Sequence, residues 1–149
     1  MNAMHAAMQQ LNQGLPNSET AWKQFFEEYF PEKVMPDYKS RFLVKKGHQL
    51  ISLSVNEIRY FYLRDKLTFV KMADNKDHIL DYTVTEVEKL ISPERFFRVS
   101  RQFIISHEAI EKVLVSTHGK LRVEVKPLHP EPIIISRERV PAFKTWMGE

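Results

Sequence analysis

No cysteine occurs in the 149 residues, which excludes disulfides, thiolate nucleophiles and cysteine-ligated zinc and is compatible with a reducing cytoplasm. Glycine is nearly as scarce. The four, at positions 14, 47, 119 and 148, form none of the clusters that cradle phosphates in Walker or dinucleotide-binding loops, so nucleotide-dependent catalysis is not expected. Long apolar runs are also missing: nothing approaches the roughly 20 residues that span a bilayer. The first residues lack the basic patch and apolar stretch of a signal peptide. The chain is therefore expected to be cytoplasmic, with no membrane partner. The six histidines, at 5, 48, 78, 107, 118 and 129, never pair at helical spacing with a carboxylate in the metalloprotease manner, so neither a metal nor another cofactor is expected. Ser100, His107 and Asp81 can be assigned on paper as nucleophile, base and orienter, but no Gly-x-Ser-x-Gly elbow surrounds Ser100. The chain is read as non-enzymatic.

What is present divides near residue 40. Residues 1–40 hold 3 basic and 5 acidic side chains, whereas 41–149 hold 19 and 14, so the surplus of positive charge lies in the longer segment. Such a surplus permits nucleic-acid binding without demonstrating it. Residues 1–15 are rich in Met, Ala, Gln and Asn, the composition of a linker. Ser18 can then cap a short helix, at about 19–30, whose Trp22, Phe25, Phe26, Tyr29 and Phe30 recur at helical spacing until Pro31. This aromatic stripe has two readings: a helix docked on the following domain, or a patch meant for another domain or a second chain. The domain proper is placed at 41–149, after a leader spanning 1–40.

From Arg41 the apolar period changes to two, and turn-forming residues punctuate runs of Ile, Val, Phe and Tyr. Strands are predicted at 41–46, 49–54, 58–63, 67–72, 78–82, 102–106, 111–116, 120–126 and 132–136. Gly47-His48, Ala73-Asp74-Asn75-Lys76 and Thr117-His118-Gly119 supply the intervening turns. Two helices interrupt. Thr83 can cap one running to about Ile91 with Val84, Val87 and Leu90 or Ile91 on one face, and Ser136 can cap a final one carrying Val140, Phe143 and Trp146. The expected fold is mostly β: short, mainly antiparallel sheets with two small helices.

Three polar segments stand out against these apolar strands. In Pro93–Ser106, Arg95, Arg98, Arg101 and Gln102 stand beside a Phe96, Phe97, Phe103, Ile104 and Ile105 run that reads as core. At Ile133–Arg139 a strand passes into a helix whose first turn would carry Arg137 and Arg139. Cations there oppose the helix dipole, which suits an anion-binding surface. The third is Arg64-Asp65-Lys66, between two strongly apolar strands.

FLVKKGHQLISLSVNEIRYFYLRDKLTFV, VTEVEKL, RFFRVSRQFIIS and IIISRERVPAFKTW follow one another in this order, and together they resemble the LytTR DNA-binding domains of bacterial two-component response regulators. The resemblance runs from Phe42 to about Gly148. It implies an elongated stack of short sheets that inserts loops into successive major grooves and reads direct repeats. Carried over motif by motif, it implies base contacts from Arg64, Asp65 and Lys66, with Thr68 as a further candidate, from Ser100, Arg101 and Gln102, and from Arg137. It leaves Arg98 and Arg139 as phosphate contacts. His or Asn often stands at the place of Ser100, and Asn at that of Ser106, which affects the operator rather than the role.

The partners implied are double-stranded promoter DNA, a receiver domain or sensor-kinase pathway in the full-length protein, and a homodimer on DNA. Forty residues cannot form a receiver, so an excised output domain or a stand-alone regulator is expected. Plainer readings stand beside these: Arg98 paired with Glu94 on the surface, and 64–66 as an ordinary charged hairpin. The rival class is a protein-interaction module that never touches DNA.

Overall fold

Alternation of apolar and polar residues becomes strand pairing throughout residues 41–135. The computed structural model describes Ala21, Gln24 and residues 37–149, so the expected aromatic helix lies, those two helical residues apart, outside the described residues. Within the unit Tyr38–Glu149, ten strands follow one another: β1 (Arg41–Lys46), β2 (Gln49–Ser54), β3 (Ile58–Arg64), β4 (Leu67–Met72), β5 (Asp77–Leu80), β6 (Phe96–Arg98), β7 (Phe103–Ser106), β8 (Ile110–Val115), β9 (Leu121–Val125) and β10 (Ile133–Ile135). Helix α1 (Val84–Leu90) lies between β5 and β6, and α2 (Val140–Met147) ends the chain. Every strand pair is antiparallel, in three sheets: β1-β2, β5-β4-β3-β7-β6 and β10-β9-β8.

The five-stranded sheet is apolar on both faces, which explains why β3 and β7 read as nearly unbroken hydrophobic runs. Phe61 and Ile104 face one way and pack with Phe42, Leu53, Val84, Val87 and Phe96, from β1, β2, α1 and β6. Tyr60, Tyr62, Phe103 and Ile105 face the other way, onto Val123, Val125, Ile133, Ile135 and Phe143. Burying strands on both faces leaves no solvent-facing register, so a one-residue slip would drive each set into the wrong layer.

The second layer contains polar groups. Tyr60 Oη donates to Pro127 O (2.9 Å), Tyr62 Oη to Asp77 Oδ1 (2.7 Å), and Lys71 Nζ to Asp77 Oδ2 (2.8 Å). His129 is buried edge-on against Tyr60, Tyr62 and Phe103, with ring centroids 4.7–5.7 Å apart. Burial pushes its pKa below the ordinary 6.5, with Lys71 and Arg64 acting in the same direction against Glu131 and Asp77. The same desolvation raises both tyrosine hydroxyls, reinforced by the Asp77 charge.

The local signals for α1 are realised in full. Thr83 Oγ1 accepts from Glu86 N, and the Glu86 carboxylate accepts from Thr83 N, a closed capping box. Three expectations need correction. The three-residue β6 was not predicted, and β5 ends at Leu80 because Tyr82 turns onto the Phe42 ring instead. The last helix starts at Val140 rather than at a Ser136 cap: Pro141, lacking an N–H, fits the first turn, and the carbonyl of Ser136 accepts from Arg139 N and Val140 N in a preceding turn. Arg137 therefore stands before the helix and Arg139 at its N-cap, so the dipole argument for a cationic first turn does not apply.

Candidate nucleic-acid interface

Two of the three polar segments meet at one end of the five-stranded sheet. Arg64 pairs with Leu67, leaving Asp65 and Lys66 as a two-residue hairpin with φ of 50° and 65°. Both central residues sit in the left-handed region that such a turn demands, where Asn-Gly is the usual solution. A lysine there is strained by about 1 kcal/mol, and strain held at an exposed tip points to a use for the side chain. Arg64, Asp65 and Lys66 are all exposed. Thr68, by contrast, is buried, because it alternates onto the same face of β4 as Val70.

Pairing of Tyr62 with Phe103 brings the β6–β7 loop to the same end. Leu63 N donates to Gln102 O (2.9 Å), so the hairpin and the loop are joined through their backbones. Ser100 Oγ accepts from Gln102 N (3.2 Å), and Val99 is buried beneath, while Arg101 and Gln102 are exposed. Lys66 and Arg101 both line an open cleft in front of Thr83–Glu86 of α1.

Arg98, the expected phosphate contact, is turned inward. Nε donates to Ser100 O (3.2 Å), Nη2 to Arg101 O (3.1 Å) and Nη1 to Thr85 Oγ1 (3.0 Å), with Glu88 Oε1 at 3.8 Å from Nη1. Its carboxylate neighbour is thus Glu88 on α1, not Glu94. Only 17% of the side chain is exposed. Arg95 is likewise engaged, by Asn56 Oδ1 at 2.6 Å.

The third tip joins β10 to α2. Arg137 is exposed, and the methylene stem of its side chain lies over Gly119: a Cβ built on that glycine would come within 3.1 Å of Arg137 Cγ and Cδ. Gly119, with φ of 75°, belongs to the β8–β9 turn, which sequence reasoning left out of the site. Its place follows from the strand register, not from a sequence pattern. Leu121 pairs with Ile135, and extending that register by two residues sets Gly119 opposite Arg137. Arg139 is exposed and holds its guanidinium 5.7 Å from the centre of the Phe97 ring, on strand β6 beside Arg98.

The paper triad is not assembled. His107 stacks on Trp146 with ring centroids 3.6 Å apart, while Ser100 Oγ is used by the loop itself. Among the described residues no group of three or more His, Asp or Glu side chains could hold a metal, and no helix is long and apolar enough to cross a membrane.

Comparisons with known proteins bear on the fold and the family. The chain is 24% identical over 133 residues to the transcriptional regulatory protein YpdB of Escherichia coli K12, covering 89% of this chain and 54% of that one. It is 26% identical over 124 residues to an uncharacterized response regulatory protein of Vibrio cholerae, covering 80% and 48%. It thus spans about half the length of these curated relatives. The LytTr DNA-binding domain of a putative methyl-accepting/DNA response regulator from Bacillus cereus superposes with a TM-score of 0.64 at 22% identity, over 74% of this chain and 99% of that one, and so shares its fold. The LytTr DNA-binding domain family matches residues 48–148, and with two thirds of its length so matched the chain belongs to that family.

Proposed function

We propose that this chain binds double-stranded promoter DNA sequence-specifically, as the cytoplasmic output domain of a two-component response regulator, and reads direct repeats through its loop tips. The DNA-binding domain is placed at 41–149, with 1–40 leading into it. In this reading Arg64, Asp65, Lys66, Ser100, Arg101, Gln102 and Arg137 meet base edges in major grooves. Arg139 meets a phosphate. A receiver domain or sensor-kinase pathway, in keeping with the response regulatory relative, and a second copy on DNA complete the proposed partners.

The observation that carries the proposal is the convergence of exposed, cationic tips on strands that are buried on both faces. The hairpin and loop are tied by the Leu63–Gln102 hydrogen bond, and Arg137 is steered by a neighbour that lacks a side chain. Rigid strands with polar ends can hold side chains at fixed positions along a groove. Arg137 is the sharpest case, because a guanidinium can donate two parallel hydrogen bonds to guanine O6 and N7, which lysine cannot copy.

Binding-site selection from random duplexes tests the reading. It should enrich paired short repeats near one helical turn apart. Arg137→Lys should then lose roughly tenfold on the selected site while keeping its thermal stability and its affinity for random duplex. No enriched sequence would refute the proposal, and equal losses on both duplexes would move Arg137 to a phosphate.

The interaction-module reading keeps one observation in its favour: β8 is an edge strand whose Val113, Leu114 and Val115 are exposed, the last at 88%. Pull-down through that edge, with no DNA retained at low salt, would favour it.

A further inference from the structure

We propose that Arg98 is a positioning residue: it does not touch DNA but holds the Ser100–Gln102 loop against α1, and so determines how selectively Arg101 and Gln102 read bases. This rests on the DNA-binding reading above. It departs from the expectation that Arg98 is itself a phosphate contact.

All three guanidinium nitrogens have partners within the chain. Two lie on consecutive loop carbonyls, Ser100 O and Arg101 O, and the third on the Thr85 hydroxyl of α1. With 17% of the side chain exposed and Glu88 beside it, the group is poorly placed to reach a phosphate without breaking these bonds. The loop has few other restraints on those carbonyls. Its backbone amides bond to Phe103 O and Ser100 Oγ, and Gln102 O accepts from Leu63 N. Remove Arg98, and Ser100 O and Arg101 O lose their guanidinium donor, so the peptide planes that aim Arg101 are no longer fixed.

The chemistry suits arginine and not lysine. A planar fork meets two carbonyls and a hydroxyl at once, whereas a single ammonium on a flexible stem cannot span all three. Helix α1 is in turn a fixed abutment, since its start is locked by the Thr83–Glu86 capping box. The arrangement makes base selection depend on Thr85, a residue of a helix that supplies none of the proposed base contacts.

The experiment uses the full chain, a duplex enriched by selection and a random duplex, with affinities measured over a salt series. Three proteins are compared: wild type, Arg98→Met and Thr85→Val. Were Arg98 bound to a phosphate, its removal would lower the slope of log affinity against log salt by about one and leave selectivity intact. Positioning gives the opposite pattern. Arg98→Met should keep the wild-type slope yet lose about tenfold or more of the ratio between selected and random duplex, and Thr85→Val should lose about fivefold, as befits one hydrogen bond.

A slope reduced by one with selectivity unchanged overturns the inference, as do two variants that discriminate like wild type. Should Arg98→Met fail to fold, Thr85→Val decides: wild-type selectivity in that variant overturns the inference, and reduced selectivity at unchanged melting temperature supports it. A wild-type chain that enriches no sequence would instead sink the DNA-binding reading, and this inference with it.

Discussion

The two faces of the five-stranded sheet are built differently. The face toward α1 and the β1-β2 hairpin is filled mainly by apolar side chains, Phe42, Val44, Phe61, Val70, Val87 and their neighbours, with Thr68 a buried polar exception. The face toward β8-β9-β10 carries Tyr60, Tyr62 and His129 among its aliphatic residues, with Lys71 and Asp77 completing a hydrogen-bonded group. A dry layer supplies stability without fixing direction, since apolar contact is nearly indifferent to rotation. A hydrogen bond that crosses between layers is selective about geometry, because its members lose their partners when the layers shift. Tyr60 and Pro127 are 67 residues apart, and their hydrogen bond forms only when the third sheet is seated correctly. The dry face therefore stabilises, and the polar face registers.

The largest effect should come from the dry face. Phe61→Ala removes a fully buried ring and should cost about 3–5 kcal/mol in urea unfolding. A loss below about 1 kcal/mol would deny that layer its role. Next comes Asp77→Ala, which takes a partner from both Tyr62 Oη and Lys71 Nζ and should cost about 1–3 kcal/mol. Tyr60→Phe, which removes the bond to Pro127 O, should in turn loosen the seating of the third sheet, seen as faster amide exchange in β8–β10 than in β1–β2. Uniform exchange across all three sheets would erase the distinction between the faces.

The smallest effect concerns pH. His129 has a folded-state pKa below 6.5, so above that value it is neutral in both states and contributes no pH dependence. As pH falls below 6.5 the unfolded chain takes up the proton first, and stability declines until the folded-state pKa is passed. Wild type should thus lose unfolding free energy as the pH falls below 6.5 relative to His129→Phe, which keeps an aromatic ring without the titration. Parallel stability profiles for the two proteins would show that His129 titrates alike in the folded and unfolded chain, against a lowered folded-state pKa.

These differences bear on what the sequence could reveal. Strands β1 to β4 were legible almost to the residue because period-two patterning and tight turns are local signals, and the Thr83-x-x-Glu86 box marked α1 for the same reason. Strand β6 was missed because Phe96–Arg98 is too short to show a period, and its two phenylalanines serve opposite layers. The start of α2 was misplaced because a serine before an apolar run satisfies the capping pattern, while Pro141 alone decides the first turn. The tips could be named from family motifs, but an arginine that grips carbonyls and one that faces solvent look alike in a sequence. Arg98 and Arg101 were separable only once the loop had closed around one of them.

The hydrogen bond from Leu63 N to Gln102 O has a metrological consequence. It ties the 64–66 hairpin and the 100–102 loop into one unit with a fixed gauge, rather than two fingers that can spread independently. On the DNA-binding reading, such a unit tolerates exchange of a base under either tip more readily than a change in the distance between them. An operator with one base pair inserted between the two contacted steps cannot be met by flexing a loop; the duplex itself must deform to restore the spacing, and stiff sequences there should be recognised least.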